Sequence, residues 1–361
     1  MRGYAPQSPL YLVKSEKGFA VVRINLALQG GGAHGAFTWG VLDVLLQEPD
    51  LEIAAISGTS AGALNGAALK AGFISGGAEA ARENLDWLWR QMGALSGPAV
   101  TQWMGNWGAG AVAKALEYSL PFMMADMASR MVSPYAYGPF YSHPLTSIAE
   151  AFQYDKVCAA DGPQLFVCAT NVRTGKARVF TRNEINTDVV LASACLPTVF
   201  QAVEIDDPKT GQRDAFWDGG YTGNPALWPF FEPHLPDDIM IVNINPIERS
   251  ETPVTPQQIQ SRMNEISFNS SLMSELRAIS FAKRLLKRGA VQEGDMKDVN
   301  IHMIADDDLM NDLSAATKMV PVPVILSQLK EAGQAAAKAF LKDHKAKLGV
   351  ESSVDITTMY G

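Results

Sequence analysis

Apolar positions along the chain follow two spacings, one for strands and one for helices. Residues 21–28 (VVRINLAL) form a dense apolar run that ends in three glycines, after which Phe37, Val41, Val44 and Leu45 recur at helical spacing. The pattern predicts a strand, a tight turn and a helix. Residues 51–57 (LEIAAIS) predict a second buried strand, followed by the glycine-bracketed turn 58–62 and a small-residue helix reaching about Ala71. Residues 164–170 and 176–181 flank Asn171-Val172-Arg173-Thr174-Gly175 as a hairpin, and residues 238–243 (DIMIVN) read as another buried strand. Strands interleaved with helices define an α/β domain over about residues 20–250.

Two stretches stand apart. Residues 72–155 are rich in Trp, Met, Phe and Pro, as in Pro121-Phe122-Met123-Met124 and in 134–141, and read as a helical insertion packed on the sheet, with a mobile lid as the alternative. Beyond Thr255 the pattern turns helical, with Ile259, Met263, Ile266, Met273, Leu276 and Ile279 on one stripe and a basic end at Lys283, Arg284, Lys287 and Arg288. A solvated helix end and a membrane contact account equally for that charge. Residues 255–361 are thus expected to be a C-terminal helical extension, with no role assigned.

Composition narrows the function. A chain of 361 residues with 47% apolar and 19% charged residues can bury a full core. Its net charge of -8, with no basic run interleaved with aromatics, excludes nucleic acid as a partner. Cys158, Cys168 and Cys195 lack the paired spacing of a metal or redox motif and read as reduced core residues, so no metal site is expected. The N-terminus lacks the apolar core of a signal peptide and no apolar run is long enough to span a membrane, which points to the cytoplasm.

The chemistry concentrates at two glycine turns. Gly58-Thr59-Ser60-Ala61-Gly62 matches G-x-S-x-G between a predicted strand and a predicted helix, the context in which a serine is held exposed on a strained turn as a nucleophile. Acyl transfer also needs donors for the tetrahedral oxyanion, and Gly30-Gly31-Gly32-Ala33-His34-Gly35 can offer converging backbone N–H groups at a helix start. The same six residues fit the dinucleotide fingerprint G-x-G-x-x-G. That reading requires an acidic residue closing the second strand, whereas this strand ends at Ser57-Gly58. A serine also needs a base. Among His34, His143, His234, His302 and His344, His234 would complete a Ser, Asp, His order with Ser60 and Asp218, although it lies in a proline-bounded loop.

Taken together, LALQGGGAHG, ISGTSAG, LASACLP and WDGG resemble the motifs of patatin-like acyl hydrolases, over about residues 24–245. The resemblance implies a patatin-like α/β three-layer sandwich around a central, mainly parallel sheet. It also implies a catalytic dyad of Ser60 and Asp218, with Gly31, Gly32 and Ala33 as the oxyanion hole and Gly30, Gly35, Gly58, Gly62, Gly219 and Gly220 shaping the turns. The implied substrate is a lipid ester, cleaved through an acyl-enzyme without cofactor or metal, with transient contact at a membrane surface. Carboxylesterase or lipase action on neutral esters is the alternative, and a lipid-binding protein without turnover is a rival of another class. The family usually carries Arg or Lys where this chain has His34, so His34 is expected to set the bias between phospholipid and neutral ester.

Overall fold

In the computed structural model, the described residues are 13–14, 20–96, 132–249, 251–292, 294–313 and 315–360, with 112, 115, 116, 119 and 124. The strands are β1 (Val13–Lys14), β2 (Ala20–Leu28), β3 (Leu51–Thr59), β4 (Gln164–Asn171), β5 (Ala177–Thr181), β6 (Val203–Asp207), β7 (Gln212–Asp218), β8 (Asp238–Val242) and β9 (Asn300–Ile304). They form one sheet in the order β6-β7-β4-β3-β2-β8-β9, with β1 on β2 and β5 on β4. The β4-β3-β2-β8-β9 core is parallel. Strands β5, β6 and β7 run antiparallel to their neighbours.

Alternation along the strands creates the three layers, because successive side chains leave a strand on opposite faces. Ile24, Leu26, Leu28, Met240 and Val242 enter one core with Phe37, Leu42, Leu69 and Leu85. Ala27, Ile239 and Ile241 enter the other with Phe230, Leu272 and Leu276. The first layer is built by helix α1 (Ala36–Leu45), helix α2 (Ala61–Ala94) and the Pro323–His344 helix. The opposite layer is built by the Pro256–Lys287 helix.

Three boundaries differ from the sequence reading. Helix α2 does not end near Ala71: it breaks at Gly76 and Gly77, where the backbone leaves helical angles, and resumes to Ala94. Ala81, Leu85, Leu88 and Trp89 are buried there, so residues 72–94 pack into the core as a continuation of this helix. Much of residues 97–131 of the candidate lid, including Pro121-Phe122-Met123, lies outside the described residues. The C-terminal segment is not helical alone, because β9 extends the parallel sheet beside β8. Its alternation, with Ile301 in one core and Ile304 in the other, is too short to stand out from flanking polar residues.

Candidate active site

The register brings three strand ends to one edge. Leu28 of β2 lies beside Gly58 of β3 and Val242 of β8, and Thr59 lies beside Cys168 of β4. Strand β7 meets β4 only at its own last residues, so Asp218 pairs with Ala169, one position beyond the partner of Thr59. Ser60, the residue after β3, and Asp218, the last of β7, are therefore carried to the same place from 158 residues apart in sequence.

Ser60 has φ 54° and ψ -121°, a conformation that side-chain-bearing residues rarely adopt and that costs about 1–3 kcal/mol. Hydrogen bonds hold it there. Its N–H donates to Ser193 Oγ at 3.0 Å, and Ser193 in turn donates to the Cys168 carbonyl at 2.7 Å. Its carbonyl accepts from Ala63 N–H at 2.9 Å as helix α2 begins. A Cβ on Gly62 would collide with the Leu28 carbonyl, so only glycine lets the helix start lie against the end of β2. Gly58 abuts the Gly62 carbonyl, and Gly35 abuts Ala61 and Trp89.

The glycine loop is in contact with this turn. A Cβ on Gly30 would sit 2.6 Å from Ser60 Cβ and 2.8 Å from the Thr59 carbonyl, a separation no substituted residue tolerates. Gly31 precedes a helical turn, Gly32–Gly35, that leads directly into α1. The N–H groups of Gly31, Gly32 and Ala33 are those that a helix start leaves without internal acceptors. The Gly30 N–H, by contrast, is taken by Asn224 Oδ1 at 2.7 Å.

Asp218 is fully buried, and burial pushes its pKa up to about 7, against the lowering influence of the Gly220 N–H and the Ser60 hydroxyl. Oδ1 accepts from Gly220 at 2.7 Å. Oδ2 is buried with no closed hydrogen bond among the described residues. The serine hydroxyl is thus close enough to lower the pKa of the carboxyl, within the looser reach that suits a catalytic pair. Gly219 lies against the Cys168 carbonyl and Gly220 against Phe268. The Cys195 thiol is pushed up to about 12 by burial and by the charge of Asp218, in keeping with a reduced core cysteine.

Four of the five histidines lie away from Ser60 and Asp218, and the fifth, His34, is in the glycine loop. His234 is exposed, 3.5 Å from the side chain of Gln164, the first residue of β4 and hence at the opposite edge of the sheet from Ser60. It lines a cavity there with Arg23, Lys70 and Arg182. His302 pairs with Asp238, the first residue of β8, at 2.8 Å on that same far edge. His143 accepts from Leu145 N–H, and His344 ends the Pro323–His344 helix. His34 requires a correction. It is fully buried, with Nε2 2.8 Å from Thr317 Oγ1, and burial reinforced by Lys318 holds its pKa well below 6.5. That disfavours the imidazolium form through which the expected bias would act.

Several residues that shape the site carried no signal in motif reading. Gln29 accepts from Ile244 and Asn245 N–H and donates to Asn269 Oδ1 at 3.2 Å. Asn245 Nδ2 donates to the Gly30 carbonyl at 2.8 Å. Asn224 N–H donates to Ser271 Oγ at 3.1 Å, which ties the Asp218 loop to the Pro256–Lys287 helix. From that helix Glu275 accepts from both Leu227 and Trp228 N–H at 2.9 Å, and burial pushes its pKa up to about 7. Behind the loop, Glu265 is ringed by Arg249, Arg262 and Lys318, and Lys318 Nζ reaches Asn245 Oδ1 at 3.3 Å. Polar residues placed just past strand ends, as in Gln29 and Asn243-Ile244-Asn245, were the available clue.

A strained serine between a strand and a helix, beside a glycine loop and a buried carboxyl, defines the class of an acyl-transfer hydrolase. Residues 26–231 match the family described as patatin-like phospholipase. The chain belongs to that family, whose members hydrolyse lipid esters. No curated protein sequence matches it. Among solved structures it is similar to VipD from Legionella pneumophila, at 15% identity and TM-score 0.39, covering 92% of this chain and 70% of that one. It is also similar to human GIVD cytosolic phospholipase A2 in complex with methyl gamma-linolenyl fluorophosphonate, at 12% identity and TM-score 0.30, covering 88% of this chain and 59% of that one. Among the described residues no helix is long and apolar enough to cross a membrane.

Proposed function

We propose that the protein cleaves carboxylic ester bonds of lipids through a Ser60–Asp218 dyad. The observation that carries this reading is the Asp218 carboxyl: buried, satisfied at one oxygen only, and close enough to the Ser60 hydroxyl to feel it. A carboxyl whose charged form is disfavoured is a stronger base, and a pKa of about 7 suits a group that must both take and return a proton. Ser60 Oγ attacks the ester carbonyl while its proton passes to Asp218. The oxyanion is met by the N–H groups of Gly31, Gly32 and Ala33 and by the positive end of helix α2. Collapse expels the alcohol, which takes the proton from Asp218. Water then attacks the acyl-Ser60 carbonyl with Asp218 again accepting a proton, and Ser60 is regenerated.

A second reading concerns the substrate. Because His34 is buried with its charged form disfavoured, and Arg249, Arg262 and Lys318 are gathered on Glu265, the described residues offer no dedicated cation at the loop for a phosphate. Neutral carboxylic esters therefore stand beside phospholipids as substrates. The experiment that tests the function is labelling with a fluorophosphonate, followed by hydrolysis of a panel of phospholipids, lysophospholipids, acylglycerols and short p-nitrophenyl esters. One covalent adduct at Ser60 with turnover on part of the panel supports the enzyme. Lipid binding with neither adduct nor turnover would establish the silent lipid-binding protein instead.

A further inference from the structure

The Pro256–Lys287 helix has two faces of opposite character. Its inner face carries Phe268, Asn269, Leu272, Leu276 and Ile279, all buried against the sheet and the Asp218 loop. Its outer face carries Ile259, Met263, Ile266 and Phe281, which are 43%, 58%, 56% and 55% exposed. The spacings place these four along a single line of the helix. Exposed apolar residues are ordinary when scattered. Four in line on one element are a surface.

Charge supplies an independent observation. Residues 256–288 hold six cations, Arg262, Arg277, Lys283, Arg284, Lys287 and Arg288, against two carboxylates, in a chain with 30 cations and 38 carboxylates. Both carboxylates are turned inward: Glu265 is buried among Arg249, Arg262 and Lys318, and Glu275 holds the N–H groups of Leu227 and Trp228. Lys283 is paired with Asp298, so the basic character of the outer face lies mainly towards Arg284, Lys287 and Arg288. A face that is apolar and basic, on a protein that is acidic as a whole, complements an anionic lipid surface.

We propose that the outer face of this helix docks the protein on anionic lipid. The proposal rests on the lipid-ester reading above and adds where the lipid surface is met. The inner face of the same helix touches the site, since Phe268 lies against Gly220 and Ser271 against Asn224. Docking therefore holds the Asp218 loop about 10 Å from the lipid, the width of a helix.

The test is sedimentation of the full-length Ser60→Ala protein, which leaves substrate intact, with vesicles of phosphatidylcholine alone and of phosphatidylcholine mixed with phosphatidylglycerol. Binding should favour the anionic vesicles and weaken as salt rises. Adding Ile259→Ser, Met263→Ser and Ile266→Ser should weaken vesicle affinity by about tenfold or more, and Arg284→Glu with Lys287→Glu and Arg288→Glu should abolish the preference for phosphatidylglycerol. With Ser60 restored, the triple Ser variant should keep its rate on a short water-soluble ester, which shows that the fold and site survive. Equal sedimentation of parent and variants, or binding to neither vesicle, overturns the proposal. So does a dimer in solution that the triple Ser variant dissociates, which would assign the face to a second copy. Vesicle binding without hydrolysis of any ester would remove the dyad and leave the docking face standing, whereas hydrolysis without vesicle binding would do the reverse.

Discussion

The two edges of the sheet carry carboxylates of contrasting kinds. At the far edge Asp238 is joined to His302 at 2.8 Å and also accepts from Gly349 N–H at 2.8 Å. By residue type this pair resembles a catalytic one more closely than Ser60 and Asp218 do. Yet the other ring nitrogen of His302 has no hydrogen-bond partner among the described residues, and its ring packs edge-on against Phe340 in the core. At the near edge Asp218 Oδ2 closes no hydrogen bond among the described residues, and its neighbour is a hydroxyl on a strained turn. What separates a reactive pair from a structural one is where the unfilled valence faces and whether strain is held beside it.

The widest separation between the edges should come from Ser60→Ala set against His302→Gln. Loss of the nucleophile should reduce kcat by about a millionfold and abolish fluorophosphonate labelling. His302→Gln should leave kcat/KM within about twofold while lowering stability by about 1–3 kcal/mol, because it disturbs a buried hydrogen bond. Thermal melts and steady-state rates on one soluble ester read both effects. If His302→Gln proved the more damaging to turnover, the assignment of the two edges would be reversed.

Asp218→Asn sharpens the comparison by separating activity from stability. Removing the base should cost about 100- to 10,000-fold in kcat. The wild-type rate should rise with pH through about 7, the value of the buried carboxyl. Stability should move the other way. The folded pKa lies above the unfolded value of 3.8, so the folded state binds the extra proton, and the stability present below pH 3.8 is lost as pH rises through about 7. Asparagine carries no charge to bury. Asp218→Asn should therefore melt higher than wild type at pH 8, by an amount that could reach about 4 kcal/mol, and converge with it near pH 4. A wild-type advantage at pH 8 would show that the carboxylate is not costly to bury.

Asn224 tests the support behind the near edge. Its Oδ1 accepts from Gly30 N–H, and Gly30 leans on Ser60. Asn224→Ala should let the loop drift and lower kcat by about 10- to 100-fold with little change in KM and no change in the pH midpoint. A shift in the midpoint would instead place Asn224 in direct contact with the charge on Asp218.

Legibility in the sequence followed how local each feature was. The Ser60 turn was readable because strand, glycines and helix are contiguous, and the glycine loop for the same reason. Strand β7 was not predicted, since Gln212–Asp218 mixes polar and apolar residues at a sheet margin, so Asp218 was reached through its Asp-Gly-Gly motif and not through its strand. The amide lattice of Gln29, Asn224, Asn245 and Asn269 spans residues more than 190 positions apart and has no local pattern. Ser193 sat inside a recognised motif, but only the register of β4 shows that it holds the Ser60 N–H. The apolar stripe read from Ile259 to Ile279 was a true helix with its faces confused. Leu276 and Ile279 point inward, whereas Ile259, Met263 and Ile266 point out, and burial cannot be deduced from spacing when both faces are apolar.

The smallest effect is expected at His34, where sequence and structure part most clearly. A histidine near its ordinary pKa of about 6.5 would gain charge between about pH 8 and pH 5.5 and draw phosphate-bearing substrates towards the loop. Burial, with Lys318 nearby, lowers the pKa of this imidazole well below 6.5 and so disfavours its charged form. The ratio of kcat/KM for a phospholipid to that for a neutral ester of the same acyl chain should therefore stay within about twofold from about pH 5.5 to pH 8. Protonation of Asp218 lowers both rates together and cancels in the ratio. His34→Gln, which can keep a hydrogen bond to Thr317 Oγ1, should leave the ratio unchanged as well. A ratio that climbs on acidification in wild type and is flat in His34→Gln would show that the ring reaches substrate after all. The buried contact with Thr317 would then have to open during turnover.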